Sequence, residues 1–133
     1  VNRAGDISEL KFMLQATEYG LDAFTPFSHS VKCDCIVMKA GGKPIRVQVK
    51  KGVRIKRCKK ITYKVVVGSC KSSTFKRGDN PRIARYTEDD FDILAIDCGD
   101  YGFSFWKVTD VCHQTTWRWN ETKPSNNWEI FNV

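Results

Sequence analysis

The residues of this chain whose types and spacing suggest chemistry are Asp34 and, one strand later, Gln48-Val49-Lys50. Each of the two segments reads as a β-strand, and a Gly41-Gly42 turn separates them. Residues two apart on a strand share a face. Ile45, Val47 and Val49 therefore point one way as core, and Gln48 and Lys50 point the other way. If the Gly41-Gly42 hairpin pairs the two strands, Asp34 lies near that same end. A divalent cation needs hard oxygen donors, which the Asp34 carboxylate, the Gln48 side-chain carbonyl and the Val49 backbone carbonyl can supply. Such an ion polarises a phosphate and acidifies a water, while Lys50 orients that water or neutralises charge in the transition state. The residues point to phosphodiester cleavage. The same spacing also fits a solvated strand face with no chemistry.

Glu9 is the second acid. Asp6-Ile7-Ser8-Glu9 has capping-box spacing, so Glu9 has a purely structural reading at the start of a helix. It gains a chemical role only if that helix start docks beside Asp34.

The elements that must position these groups are legible in outline. A helix is predicted over Asp6–Tyr19, with Asp6 as cap, Ile7, Leu10, Leu14 and Thr17 at helical spacing, and Gly20 as stop. Extended segments follow at Leu21–Phe27, Val31–Met38, Ile45–Lys50 and Ile61–Gly68. Ser69–Arg82 reads as a polar loop, Phe91–Asp97 and Phe103–Val108 as strands, and Thr109–Gln114 as a short helix. The tail carries Trp117, Trp119, Trp128 and Phe131, and a subunit interface is the expectation for them. A helix followed by a mixed sheet predicts an α/β fold.

Composition limits the partners. The 133 residues carry a net charge of +7, which favours an acidic partner, nucleic acid first and an anionic membrane second. Lys51–Lys60 holds six basic residues in ten: Lys51, Arg54, Lys56, Arg57, Lys59 and Lys60. It reads as a loop leaving the Lys50 strand towards a phosphate backbone. Lys71, Lys76, Arg77, Arg82 and Arg85 form a second basic zone able to enter a groove. Ser28, His29 and Ser30, in the loop before Asp34, are candidates for phosphate contact, and His29 for a general base.

Other classes are disfavoured. No apolar run is long enough to span a membrane, and no segment combines a basic face with a clean apolar helical stripe. The polar opening lacks a signal-peptide pattern, which predicts a cytoplasmic, non-secreted protein. Four of the six cysteines, Cys33, Cys35, Cys70 and Cys98, lie in or beside apolar strand-like runs, which with the missing signal-peptide pattern predicts reduced, mostly buried thiols, and the absence of a C-x-x-C pair argues against zinc.

Taken in order, Gly5-Asp6-Ile7-Ser8-Glu9, Pro26, Asp34-Cys35-Ile36-Val37, Arg46-Val47-Gln48-Val49-Lys50, Arg85-Tyr86 and Asp90-Phe91-Asp92 resemble the PD-(D/E)XK nuclease superfamily. The branch most resembled has Gln in place of the usual second acid and includes a homing endonuclease from a cyanobacterial group I intron. Small archaeal Holliday-junction resolvases are more distant. The resemblance covers about residues 5–108, within one nuclease domain over 1–133 whose residues 109–133 form an aromatic extension. It implies a restriction-endonuclease-like α/β/α core with a central mixed β-sheet and metal-dependent DNA cleavage, using Mg2+ or Mn2+. By position it makes Asp34 the central metal ligand, Glu9 the helix-borne acid, Gln48 the second-acid position and Lys50 the motif lysine. The activities left open are a homing or restriction-like endonuclease, a junction resolvase, and a DNA-binding module without catalysis. Cleavage of two strands implies a homodimer or higher homo-oligomer.

Overall fold

The computed structural model of the chain describes residues 3–28, 30–70, 83–120 and 126–132. Helix α1 spans Arg3–Tyr19. Gly20, at φ 101°, ends it in a left-handed conformation. There the Gly20 N–H donates to the Thr17 carbonyl at 3.0 Å and the Leu21 N–H to the Ala16 carbonyl at 2.9 Å. This is the Schellman arrangement that glycine permits. The other end departs from expectation. The helix is already formed at Arg3, so Asp6 lies inside its first turn and is not its cap. The buried face also differs: Ser8, Phe12 and Ala16 face the core, while Ile7, Leu10 and Leu14 are 56%, 68% and 60% exposed.

Strands β1 (Asp22–Phe24), β2 (Cys35–Met38) and β3 (Ile45–Lys51) run antiparallel in sequence order. Strand β4 (Val53–Arg57), β5 (Lys60–Val66), β6 (Ser69–Cys70) and β7 (Ile83–Ala84) then intervene before β8 (Ile93–Asp97), which pairs parallel to β3. The parallel pairing needs a long crossover, and β4 to β7 supply it. Strand β9 (Phe103–Lys107) closes the mixed five-stranded sheet in the order β1-β2-β3-β8-β9. All five residues of β8 are buried, because both of its faces are covered.

On one face lie α1 and a 3-10 turn at Trp128–Phe131. Phe12 stacks on Trp128 at 5.5 Å and meets Phe103 edge-on at 5.7 Å, over Val37, Val47, Val49 and Ala95. The other face is covered by the four-residue helix α2 (Val108–Val111) and by a second sheet in the order β10-β5-β4, with β10 at Thr116–Asn120. Tyr63, Val65 and Trp119 from that sheet pack on Leu94 and Ile96. The architecture is the restriction-endonuclease-like α/β fold with a mixed central sheet, and most of its third layer is sheet.

Two expectations change. The basic run Lys51–Lys60 is a hairpin and not a loop: β4 pairs with β5 from Val53↔Lys64 to Arg57↔Lys60. Gly52 makes the change of sheet possible. A Cβ there would lie 2.8 Å from Ile96 Cγ2, and its N–H donates to the Asp97 carbonyl at 3.0 Å. The tail tryptophans are core and not an exposed interface. Trp119 and Trp128 are buried in opposite clusters, and Trp117 packs against Trp106 at 5.1 Å. The described thiols are free, with Cys33, Cys35 and Cys98 buried. No described helix is long and apolar enough to cross a membrane.

The contact that fixes α1 joins residues 86 and 89 apart in the chain. Asp97, at the end of β8, is 1% exposed. It accepts from Ser8 Oγ at 2.7 Å, Lys11 Nζ at 2.8 Å and the Gly99 N–H at 2.9 Å, and Lys51 Nζ lies 3.5 Å away. Burial alone would raise its pKa, but the hydrogen bonds from Lys11, Ser8 and Gly99 and the charge of Lys51 hold it below the ordinary 3.8. A depressed carboxylate pKa gives stability that is present above about pH 4 and is lost as pH falls through the folded value. Asp97→Ala should cost about 3 kcal/mol at neutral pH. In urea unfolding, the advantage of wild type over Asp97→Asn should shrink below about pH 4. A difference that stays constant across pH would count against a charged Asp97.

Candidate active site

Asp34 precedes β2 and is held at two points. Its N–H donates to the Val47 carbonyl at 2.8 Å, and its Oδ2 accepts the Val49 N–H at 2.8 Å. The register Cys35↔Val47 puts it beside the C-terminal half of β3, so its carboxylate lies at the Gln48–Lys50 end and not at the Gly41-Gly42 turn.

Gln48 and Lys50 share the sheet face opposite α1, and neither is a freely solvated strand residue. Gln48 is 7% exposed. Its Oε1 is buried and has no hydrogen-bond partner among the described residues. Lys50 is half-buried, with Nζ 3.4 Å from the Gly68 carbonyl and 5.6 Å from the centre of the Tyr86 ring. Burial lowers its pKa, and the Asp34 charge opposes that shift. Burial also pushes the Tyr86 hydroxyl up to about 12, so the ring meets Lys50 as a neutral aromatic.

Because α1 is formed from Arg3 onward, Glu9 is free of a capping role and reaches Asp34. Its pKa rises to about 7. Burial is the largest cause, followed by its hydrogen bond to Asp34 and the charges of Asp34 and Asp6. Two carboxyl groups this close retain a proton between them until something positive arrives.

Glu9, Asp34, Gln48, Val49 and Lys50 line one cleft of about 450 Å3, walled further by Lys51, Val53 and Lys64. A second concavity of about 280 Å3 lies across the two carboxylates and is lined by Thr25, Ser28 and Cys33. Among the described residues, no three histidine, cysteine, aspartate or glutamate side chains converge as a metal site. The donors in the cleft are two carboxyl groups, an amide oxygen and a backbone carbonyl. That set fits a hard divalent cation, and the buried, unpartnered Gln48 Oε1 is the type of atom that a cation satisfies.

The expected DNA-contacting residues divide. Ser28 and Ser30 bond each other at 2.7 Å beside the second concavity. Lys51 lines the cleft. Arg54 lies over the Tyr101 ring at 4.7 Å. Lys56, Arg57, Lys59, Lys60 and Arg85 are exposed. His29, Lys71, Lys76, Arg77 and Arg82 lie outside the described residues.

Sequence reasoning missed Ser8, Lys11 and Asp97, which hold the helix carrying Glu9, and Lys64 in the cleft wall. An acid closing the wholly apolar run Ile93-Leu94-Ala95-Ile96 was the available signal for Asp97. It also missed the Arg46–Asp92 clamp. There the Arg46 guanidinium donates to both Asp92 carboxylate oxygens, at 3.0 and 3.3 Å, and ties the Tyr86 segment to β3.

The PD-(D/E)XK endonuclease family profile matches residues 1–130. A solved structure described as a bacterial homing endonuclease, I-Ssp6803I, superposes with a TM-score of 0.66 at 18% identity. The match covers 92% of this chain and 78% of that one, and at this identity the likeness is one of fold. No curated protein matches the chain in sequence.

The Glu9 shift has a measurable sign. A carboxyl whose folded pKa lies above its ordinary 4.5 weighs against folding as pH rises from 4.5 to about 7. Glu9→Gln should therefore gain stability relative to wild type between pH 5 and pH 8. The gain should be about 1 kcal/mol, since partial solvation screens the repulsion. Urea unfolding of both proteins across that range reads it. A stability difference independent of pH would show that the two carboxyls do not share a proton.

Proposed function

The chain belongs to the PD-(D/E)XK endonuclease family, and on that premise we propose that it is a metal-dependent DNA endonuclease of the homing or restriction-like kind. The observation that carries the reading is the buried, unpartnered Gln48 Oε1, grouped with Asp34, Glu9 and Lys50 in one cleft. In this reading Asp34, Gln48 Oε1, the Val49 carbonyl and deprotonated Glu9 hold Mg2+ or Mn2+, which fit such oxygens equally. When bound, the cation supplies Lewis-acid polarisation of the scissile phosphate. Lys50, placed over Tyr86, neutralises the negative charge that develops on the phosphate oxygens. The Val49 N–H fixes Asp34 and removes the need to reorganise it during the reaction. Glu9 gives up its proton as the cleft fills with positive charge. The net charge of +7 and the basic β4–β5 hairpin support DNA as the substrate.

Incubation with supercoiled plasmid, a four-way junction and high-molecular-weight DNA, in magnesium or in EDTA, tests this. Cleavage should require magnesium. Asp34→Ala and Lys50→Ala should lower the rate at least about 100-fold, whereas Gln48→Glu should retain part of it. Robust cutting by Lys50→Ala, or in EDTA, would sink the assignment. Cutting confined to the junction would move the reading to a structure-specific resolvase.

Cutting both strands calls for two active sites, and the outer face of α1 can accept a second copy. Ile7, Leu10 and Leu14 form a stripe opposite the buried Ser8, Phe12 and Ala16. If α1 packs antiparallel on its copy, Ile7 meets Leu14 and Arg3 meets Glu18, so the face complements itself in shape and charge. Leu10→Asp should convert a dimer to a monomer in sedimentation at micromolar concentration. A wild-type monomer, or a dimer that Leu10→Asp leaves intact, would exclude this interface.

A further inference from the structure

The three strands of the second sheet have two unlike faces. Directly paired residues on neighbouring strands share a face, so the register sorts every side chain. Ile61, Tyr63, Val65, Trp117 and Trp119 turn inward against β8 and β9. The other face is built in rows across the strands: Val53, Lys64 and Arg118; Ile55, Thr62 and Asn120; Arg57 and Lys60; Val66 and Thr116. Arg57, Lys60, Arg118 and Asn120 on it are exposed. The chain has 15 acidic residues, and β4, β5 and β10 contain none. Among the described residues, Arg57, Lys60, Lys64 and Arg118 form no ion pair. An ordinary solvated sheet face mixes charges of both signs, and this face does not.

The face is continuous with the candidate active site, since Val53, Lys64 and Val66 line the same cleft as Glu9, Asp34 and Lys50. Three strands about 5 Å apart span about 10 Å, against a major groove about 12 Å wide. Cations on the rows suit phosphates. Arginine, asparagine and threonine suit base edges, with asparagine matching adenine and arginine matching guanine.

We propose that the outward face of the β10-β5-β4 sheet is the surface that docks and reads duplex DNA, with Arg57, Lys60 and Lys64 on phosphates and Arg118, Thr62 and Asn120 at base edges. The proposal rests on the endonuclease reading and adds its substrate-reading surface. It gives β10 a part in recognition. Two of the three basic β4 side chains, Arg54 and Lys56, fall on the opposite face and are not part of the surface.

The test measures binding of a 30-base-pair duplex of random sequence in EDTA, so that no cutting occurs, over a series of salt concentrations. Lys60→Glu/Arg118→Glu is compared with Lys39→Glu/Lys43→Glu, an equal charge change in the exposed Gly41-Gly42 turn region. Circular dichroism melting confirms that both variants fold, and the corresponding glutamine pairs repeat the measurement without charge reversal. The face variant should bind at least tenfold more weakly at about 0.1 M salt, with the slope of log affinity against log salt reduced by about one for the lost Lys60 phosphate contact. The turn variant should change affinity less than twofold. Duplexes retained from a randomised library should show relaxed base preference for Thr62→Ala/Asn120→Ala, with an unchanged salt slope. A face variant that binds like the turn variant overturns the docking surface. An unrelaxed preference, or none in wild type, overturns base reading by this face. Either failure leaves the endonuclease reading intact if wild type still cuts DNA with Lys50 and magnesium. Wild type that neither binds nor cuts DNA overturns the endonuclease reading itself.

Discussion

The buried carboxylate of Asp97 sets the geometry on which the candidate site depends. It ends the central strand β8, and it draws Ser8 and Lys11 of α1 and Lys51 of β3 to one point. Ser8 adjoins Glu9, and Lys51 adjoins Lys50. Because an unpaired charge in the interior is costly, the helix has one azimuth and one axial position at which Asp97 is satisfied. In that position Glu9 meets Asp34. The same interaction that holds the helix to the sheet therefore brings the two acids together and raises the pKa of one of them.

The two flanking layers have separate roles. Aromatic packing of Phe12, Phe103, Phe105, Trp128 and Phe131 makes the α1 side a rigid platform. The opposite side is a second sheet, reached through Gly52, where the chain passes against Ile96 too closely for any side chain. That crossing point follows directly after Lys50 and Lys51. The cleft thus forms where one sheet hands the chain to another, and its walls come from both. A site of this kind can hold hard-oxygen donors on the rigid sheet and present cations from the hairpin above it.

Polar groups in the cleft have been left unsatisfied or in conflict. Glu9 has its pKa raised by burial and then by its contact with Asp34, Gln48 Oε1 is buried without a partner among the described residues, and Lys50 is partly desolvated. Each costs folding stability. In the proposed reading, a cation and a phosphate would relieve these conflicts. The Arg46–Asp92 clamp offsets part of this cost nearby by holding the Tyr86 segment under Lys50.

Much of this was legible in the sequence by itself. Periodicity and turn residues determined the helix up to Gly20, the pairing of β2 with β3, and the sharing of a face by Gln48 and Lys50. These depend on local backbone geometry and the two-residue repeat of a strand. The ordered set from Gly5 to Asp92 determined the family, because a spaced motif survives where overall identity does not. Tertiary structure alone decided the rest. Ile7, Leu10 and Leu14 have helical spacing yet face outward, because the apolar pattern of a helix does not say which stripe is buried when Phe12 and a Ser8–Asp97 hydrogen bond compete with it. The basic run became a strand because its partner, β5, was available to pair with it. The tryptophans of the tail went into two cores because α1 and β5 left space for them. Above all, the meeting of Glu9 with Asp34 depends on Asp97, 86 residues or more from the helix residues that bind it. No local pattern carries the information for a contact of that range.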